Sequence, residues 1–292
     1  MTSIILLTQR NLRLFFRDRV GVFFSLLSAL ILIALYALFL GGLQVSSLKD
    51  QLPGASDHDI GWFVNAWVFA GITMITTLTT ALAAMGVFVD DNVSGRFRDF
   101  IVSPIRRTHL VLGYLIASFI VSVTMSAVII VIGQLYMLTQ GNELLSLPNL
   151  LQTAGFVLAS SAVFAAFAAF VVTFLNSAGA FAAFSTVVGS LIGFLSGAYV
   201  PSGTLPEGVV SGMNALPFAQ AAMLIRMPFT ESALGALLTG EGQALSSLQE
   251  FYGITASVGS FAITPNIALI ELALLFVIFI ALGVWRLSRK IR

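Results

Sequence analysis

Cysteine is absent from the 292-residue chain, and charge is scarce. Without cysteine there is no disulfide framework, no thiol nucleophile and no thiolate metal site. The two histidines, His58 and His109, lie far apart in sequence, which argues against a haem or zinc site built from histidine within one subunit. Lysine occurs only at Lys49 and Lys290. Neither follows the glycine run of a G-x-x-x-x-G-K-[ST] phosphate loop, so this chain is not expected to hydrolyse ATP. Charged residues make up 9% of the chain, whereas a soluble domain carries about 25%. So few cannot cover a water-facing surface of this size, which excludes a soluble enzyme, and a chain this apolar is not disordered either. What is abundant is apolar: 58% of residues are hydrophobic and the mean hydropathy is +0.99. Most of this polypeptide is solvated by lipid.

A membrane-crossing helix needs roughly 20 mostly apolar residues. Six runs qualify, at about residues 21–41, 62–89, 110–138, 150–175, 179–200 and 265–285. The expected fold is therefore all-α and polytopic, one transmembrane domain over residues 1–292. Twelve of the fourteen basic residues fall before the first run (Arg10, Arg13, Arg17, Arg19), between the second and third (Arg96, Arg98, Arg106, Arg107) or after the sixth (Arg286, Arg289, Lys290, Arg292). The opposite loops hold only Lys49 and Arg226, with Asp50, Asp57, Asp59, Glu143, Glu207, Glu231, Glu241 and Glu250. Basic loops stay in the cytoplasm, so both termini are expected there. The first run is longer than a signal peptide's apolar core of about 7–15 residues and lacks an obvious cleavage site, and reads as a permanent anchor.

Several features sit within or beside these runs. Residues 1–20 form an expected interfacial helix, with Arg10, Arg13 and Arg17 on one face and Ile5, Leu12 and Phe15 broadly opposite, suited to the surface of an anionic leaflet. The plainer alternative is a positive flank that only sets topology. In the second run Thr73, Thr76, Thr77 and Thr80 make one hydroxylated stripe, which either packs against a neighbour or lines a substrate path. In the fifth, Ser185, Gly189, Gly193 and Gly197 recur at four-residue steps, a small-residue face that admits another helix closely. Ser185, together with Ser196 and Tyr199, is also a candidate for the path. The Ala165–Ala169 region of the fourth run is similarly tight. Glu271 is the only acid within a run. It lies about 9 Å of helix rise past Pro265, and is either functional or an interfacial acid tolerated there. Between the fifth and sixth runs, Pro201, Pro206, Pro217 and Pro228 divide 201–228 into pieces too short to cross a bilayer, as in a re-entrant hairpin. Residues 229–264 read as a loop holding either a short amphipathic surface helix, with Leu245, Leu248, Phe251 and Tyr252 spaced along it, or no regular structure.

The segment from Asp90 to Leu115 carries the most specific pattern. Val93, Phe97, Phe100, Ile101 and Ile105 share one helical face, Arg96, Arg98 and Asp99 lie elsewhere, and Pro104 ends the helix. A short amphipathic helix over about 92–105 is expected, parallel to the membrane. This segment resembles the loop after the second span in permeases of the ABC-2 type, the membrane subunits of type V ABC exporters. Asp90, Asp91, Ser94, Gly95, Phe100, Ser103, Pro104 and Arg106 stand at the family's positions, with Ser94 and Gly95 in the reverse of the commoner order. Gly197, Pro201, Leu205, Pro206, Pro217, Phe218 and Arg226 similarly match the family's re-entrant segment after the fifth span. The six-span order and the amphipathic N-terminus agree, so the resemblance covers nearly the whole chain.

The resemblance implies an exporter permease in a bacterial cytoplasmic membrane, served by two copies of a separate ABC ATPase that holds ATP and Mg. A second permease chain, identical or related, completes it. No cofactor, metal or nucleic acid is expected on this chain, and its remaining partner is membrane lipid. The coupling helix would present Val93, Arg96, Phe97, Arg98, Asp99, Phe100, Ile101, Pro104 and Arg106 to the ATPase, and cargo would move along the first, second and fifth spans. A path with hydroxyls and aromatics but no fixed charge points to an amphipathic cargo, namely a drug, a lipid-like molecule or a modified peptide. Relatives that export polysaccharides or lipid-linked glycans give an alternative. An ATPase-independent channel or ion-coupled carrier would require intramembrane charges or a filter, and neither is evident. A non-transporting assembly factor is a third reading.

Overall fold

The computed structural model describes residues 2–96, 106–238 and 242–290. The chain begins with α1 (Thr2–Arg17), followed by α2 (Arg19–Ser25) and α3 (Leu27–Leu35). A π-helical turn, Tyr36–Leu40, then leads into α4 (Gly41–Gln51). Next come α5 (Asp57–Ala84), α6 (Gly86–Val93), α7 (Arg107–Thr139), α8 (Leu147–Val172) and α9 (Ala178–Leu195). After a 3-10 turn at Ser202–Thr204 stand α10 (Glu207–Asn214), α11 (Pro217–Leu237) and α12 (Gly242–Phe251). The hairpin β1 (Ala256–Val258) and β2 (Phe261–Ile263) precedes α13 (Pro265–Lys290). Among the described residues, six helical segments are long and apolar enough to cross a membrane. The two strands pair antiparallel, Ala256 opposite Ile263, and are a minor addition to an all-α, multi-pass membrane protein.

Capping residues set where several helices start. Ser56 Oγ accepts the backbone N–H of Asp59, and Asp57 and Asp59 lie in the first turn of α5, where the helix dipole favours negative charge. Ser146 caps α8 ahead of a proline in its first turn, so that span starts at Leu147 rather than near Leu150. It also ends at Val172, short of the expected 175. Ser177 caps α9. The largest departure is in the first span. The expected stop at Gly41 does not occur. The helix passes both glycines and runs to Gln51, because Leu48 has an apolar place to go and is fully buried. The second span likewise begins five residues earlier than expected, at Asp57.

The interior is organised on α5, whose residues are buried almost all round. α7, α8 and α11 pack directly on it, α13 packs on α8, and α3 and α9 stand at one flank. A helix whose one polar stripe is of threonines that bond back to their own backbone can be buried on every face at such a centre. α1 lies against α7 on Leu7, Thr8, Asn11 and Phe15. Leu7 sits so close to Gly113 that a side-chain carbon there would come within 2.6 Å of it. The expected apolar face of α1 is thus rotated: Phe15 is on it, but Ile5 is 56% exposed.

α10 and α11 meet at 86°. The segment is broken as expected, but the break is at Leu216, and α11 continues through Pro228 to Leu237. Pro228 is accommodated within a helix buried along most of its length. The stretch 229–264 is therefore not one loop. Its start belongs to α11, its middle holds α12 and its end is the β hairpin.

Candidate functional site

Two regions bring together what the sequence singles out. The first is the arginine-rich end. α6 carries Asp91 at its last turn, with a side chain that is 0% exposed. Arg10 of α1 grips it in bidentate fashion, at 2.6 Å and 2.8 Å. Arg96 donates to it at 2.9 Å, and the Tyr114 hydroxyl on α7 donates a short fourth bond. A buried carboxylate is stable only when its lone pairs are met in this way. The hydrogen bond to Asp91 holds Arg10 above its usual range, so the guanidinium stays charged. One carboxylate thereby fastens α1, α6, α7 and the start of the following segment into a block.

The amphipathic segment expected over 92–105 is entered differently than the sequence suggested. α6 ends at Val93, and Gly95 follows with φ +79°, a left-handed turn natural to glycine. Val93 therefore ends α6 instead of joining the apolar face it was assigned, and its side chain is 53% exposed. Arg106 is exposed and extended just before α7. Phe97, Arg98, Asp99, Phe100, Ile101 and Pro104 lie outside the described residues.

The second region is a groove between α3 and α9. A cavity of about 450 Å³ opens at the arginine-rich end, with Asp18, Asp90, Phe24 and Phe181 among its walls. A larger one of about 660 Å³ runs on from it past Ile31, Leu35 and Phe194 to Tyr199. The two share Phe24, Ser28, Ser185 and Gly189 as walls, so they adjoin along the groove. Serine, threonine and glycine of α9 line it opposite aliphatic residues of α3. The far end is closed by tyrosines. Tyr36 donates to the Tyr199 carbonyl at 3.1 Å, and the Tyr199 hydroxyl reaches Gly189 O at 3.4 Å. The Tyr199 ring lies on Gly193, where any Cβ would come within 2.1 Å of it.

Beyond this closure is a latch on Arg226. The residue is 2% exposed. Its guanidinium donates to the carbonyls of Ser196, Gly197 and Gly253 and lies 5.3 Å from the centre of the Trp67 ring. Trp67 in turn donates from its indole to Tyr252 O at 2.7 Å. One cation thus ties α5, α11, the turn after α9 and the segment after α12. Such a buried cation survives by charge-assisted bonds and the aromatic face.

The remaining candidates sort as follows. Thr73, Thr76, Thr77 and Thr80 are fully buried. Each hydroxyl bonds back to a carbonyl of its own helix, at 2.6 to 2.8 Å. They face Ser118 and Ser122 of α7, which donate to Ala81 O and Thr77 O. Ser122 also reaches Ser161 of α8 at 2.8 Å. The sequence reading missed this seam, although Ser118, Ser122 and Ser126 recur at steps of four. Ser185 and Gly189 line the groove. Gly193 takes a tyrosine ring of its own chain. Gly197 is not on the helix face at all: α9 stops at Leu195, not Val200, and Gly197 turns the chain with φ +63°. Ser196 is buried as the cap of α9, and Tyr199 forms the end of the groove. Glu271 accepts a 2.6 Å bond from Gln220 of α11, which fastens α13 to α11.

A family model described as ABC-2 type transporter matches residues 2–229. No curated protein matches the chain.

Proposed function

We propose, from the premise that the chain belongs to the ABC-2 type transporter family, that this transporter permease is the membrane subunit of an ATP-driven exporter. Both termini lie in the cytoplasm, at a bacterial inner membrane. Two copies of an ABC ATPase, each holding its own ATP and Mg, dock at the arginine-rich end, and a second permease chain completes the assembly. The observation that carries this reading is the Asp91 network. An ATPase seated on the 97–105 segment pushes on a block in which α1, α6 and α7 are already joined by charge-assisted bonds. The push is therefore delivered to the bundle instead of being lost in a soft loop.

The conformational change requires that the block fit one ATPase state better than another, since only differential affinity shifts an equilibrium. The α3–α9 groove is the cargo path, and the second chain covers its open flank. The Tyr36–Tyr199 closure and the Arg226 latch form its extracytoplasmic gate. The threonine stripe of α5 serves packing, because its hydroxyls are already satisfied within the helix. The cargo is an amphiphile, matched to a groove with apolar walls and scattered hydroxyls.

The test replaces Phe97 and Phe100 with Asp in the full complex. The expected result is loss of ATPase association, or of cargo-stimulated ATP turnover, with the spans still folded. Wild-type transport and complex yield in that variant would overturn the coupling assignment.

A further inference from the structure

We infer that the π turn at Tyr36–Leu40 is a register switch in the first span. When it tightens into an ordinary α turn, α3 rotates by about 100° against α4 and slides by about 1.5 Å, which withdraws Tyr36 from Tyr199. This rests on the reading of the Tyr36–Tyr199 closure as the gate, and adds the motion that opens it.

A π turn holds one residue more than an α turn, and such turns gather at functional sites. Here the extra residue sets the phase of the span. Ala29, Leu32, Tyr36 and Leu48 are all buried in the core around α5. The first three fall at helical spacing. Leu48 is twelve residues beyond Tyr36, which in an unbroken α-helix places it about 120° round from it. With one residue absorbed in the π turn, eleven steps remain and the offset falls to about 20°. Gln44, which accepts from the Tyr252 hydroxyl at 3.4 Å, comes onto the same face. The two halves of the span thus face the core together only in the π form. Gly41 makes that form possible. Its N–H donates to Tyr36 O and closes the turn, and a Cβ on it would lie 2.6 Å from that oxygen. Straightening the turn must rotate one half. Rotating α4 would put Ser47 in the place of Leu48, a polar residue for an apolar one. Rotating α3 puts Leu30, Ile33 and Ala37 in the places of Ala29, Leu32 and Tyr36, all of them apolar. α3 is also the half with one side on the groove, at Ile31 and Leu35. It is therefore α3 that moves. Ala37 has neither the ring that lies against Trp67 nor the hydroxyl that holds Tyr199.

The test places a single 3-fluorotyrosine at position 36 of the full chain in nanodiscs. Fluorine NMR then separates a ring held against Trp67 from a released one. Gly41→Ala is expected to raise the released population by about tenfold, within the range that overpacking by one methyl group costs. Gly42→Ala, whose Cβ meets nothing within 4 Å, is expected to leave it at the wild-type level. Deleting Leu38, which is 85% exposed, removes the extra residue and keeps both halves in phase. That variant is expected to fold, to melt no lower than wild type, and to show the held ring alone. In an ordinary span, the same deletion would turn one half out of the core. A released population no higher in Gly41→Ala than in Gly42→Ala overturns the inference, as does a deletion that unfolds the chain or releases the ring. A second readout tests the gate. The chain has no cysteine, so Ser190→Cys gives one thiol in the groove for a membrane-impermeant reagent added outside intact cells. Modification is expected to quicken when Gly41→Ala is added and to stop when Leu38 is deleted. If the ring is released but modification does not quicken, the register switch stands and the gate reading fails.

Discussion

Replacing Asp91 with asparagine isolates the network on which force transmission depends. The side chain is fully buried and accepts four bonds: two from Arg10, one from Arg96 and one from Tyr114. Asparagine keeps the shape but loses the charge, and its amide presents donors where two guanidiniums already donate. Breaking a buried ion pair from one side costs about 3–5 kcal/mol. The arginine side chains are 30% and 55% exposed and partly rehydrate, so the lower end, about 3 kcal/mol, is expected. Arg10→Met leaves Asp91 with Tyr114 and Arg96 and should cost about 2 kcal/mol, as for a hydrogen bond to a charged group. Arg96→Met should cost less than about 1 kcal/mol, since that partner is mostly exposed. The double variant Asp91→Asn, Arg10→Met should fall short of the sum by about 1.5 kcal/mol or more. The assay is SDS unfolding in mixed micelles, followed by far-UV circular dichroism. An Asp91→Asn variant within about 0.5 kcal/mol of wild type, or strictly additive effects, would refute the claim that this carboxylate holds the block together.

Three further expectations concern the gate and the packing. Arg226→Met should cost about 2–4 kcal/mol, because it leaves the carbonyls of Ser196, Gly197 and Gly253 without their donor; proteolysis of the segment after α11 should rise in parallel, and unchanged protection would count against the latch. Gly193→Ala should destabilise by about 1–3 kcal/mol, since its methyl group enters the Tyr199 ring, and Tyr199→Ala in the same chain should restore most of that loss in a thermal melt. Changing Thr73, Thr76, Thr77 and Thr80 together to valine should leave the cargo profile unchanged, because each hydroxyl is turned back to its own helix; a shifted profile in a competition transport assay would return the stripe to the path.

The sequence made the spans legible because lipid imposes a length and an apolar content that few other environments demand. It was less informative about their ends. Ser146 and Ser177 decide where α8 and α9 begin, and a capping serine is easily passed over beside an apolar run. The first run was expected to end at Gly41, yet burial of Leu48 carried the helix past it. Glycine permits a turn without requiring one. The Asp91 network was not legible at all, since Arg10 and Asp91 lie 81 positions apart and no local periodicity links them. The groove was legible in part: Ser185 and Tyr199 stood as path candidates and both line it, whereas its mouth, which pairs the cap residue of α2 with an acid at the end of the second span, was not. The threonine stripe was visible as a pattern. Only the bond directions separate packing from lining, and those depend on the neighbours that α7 and α8 supply.

The most direct test of the account is to purify the chain from its native membrane in mild detergent and identify by mass spectrometry what accompanies it. The account predicts a stoichiometric ATP-binding-cassette protein, retained by the wild type and lost when Phe97 and Phe100 are both aspartate. Absence of any such ATPase, even after crosslinking in the membrane, would contradict it and move an ATPase-independent carrier ahead.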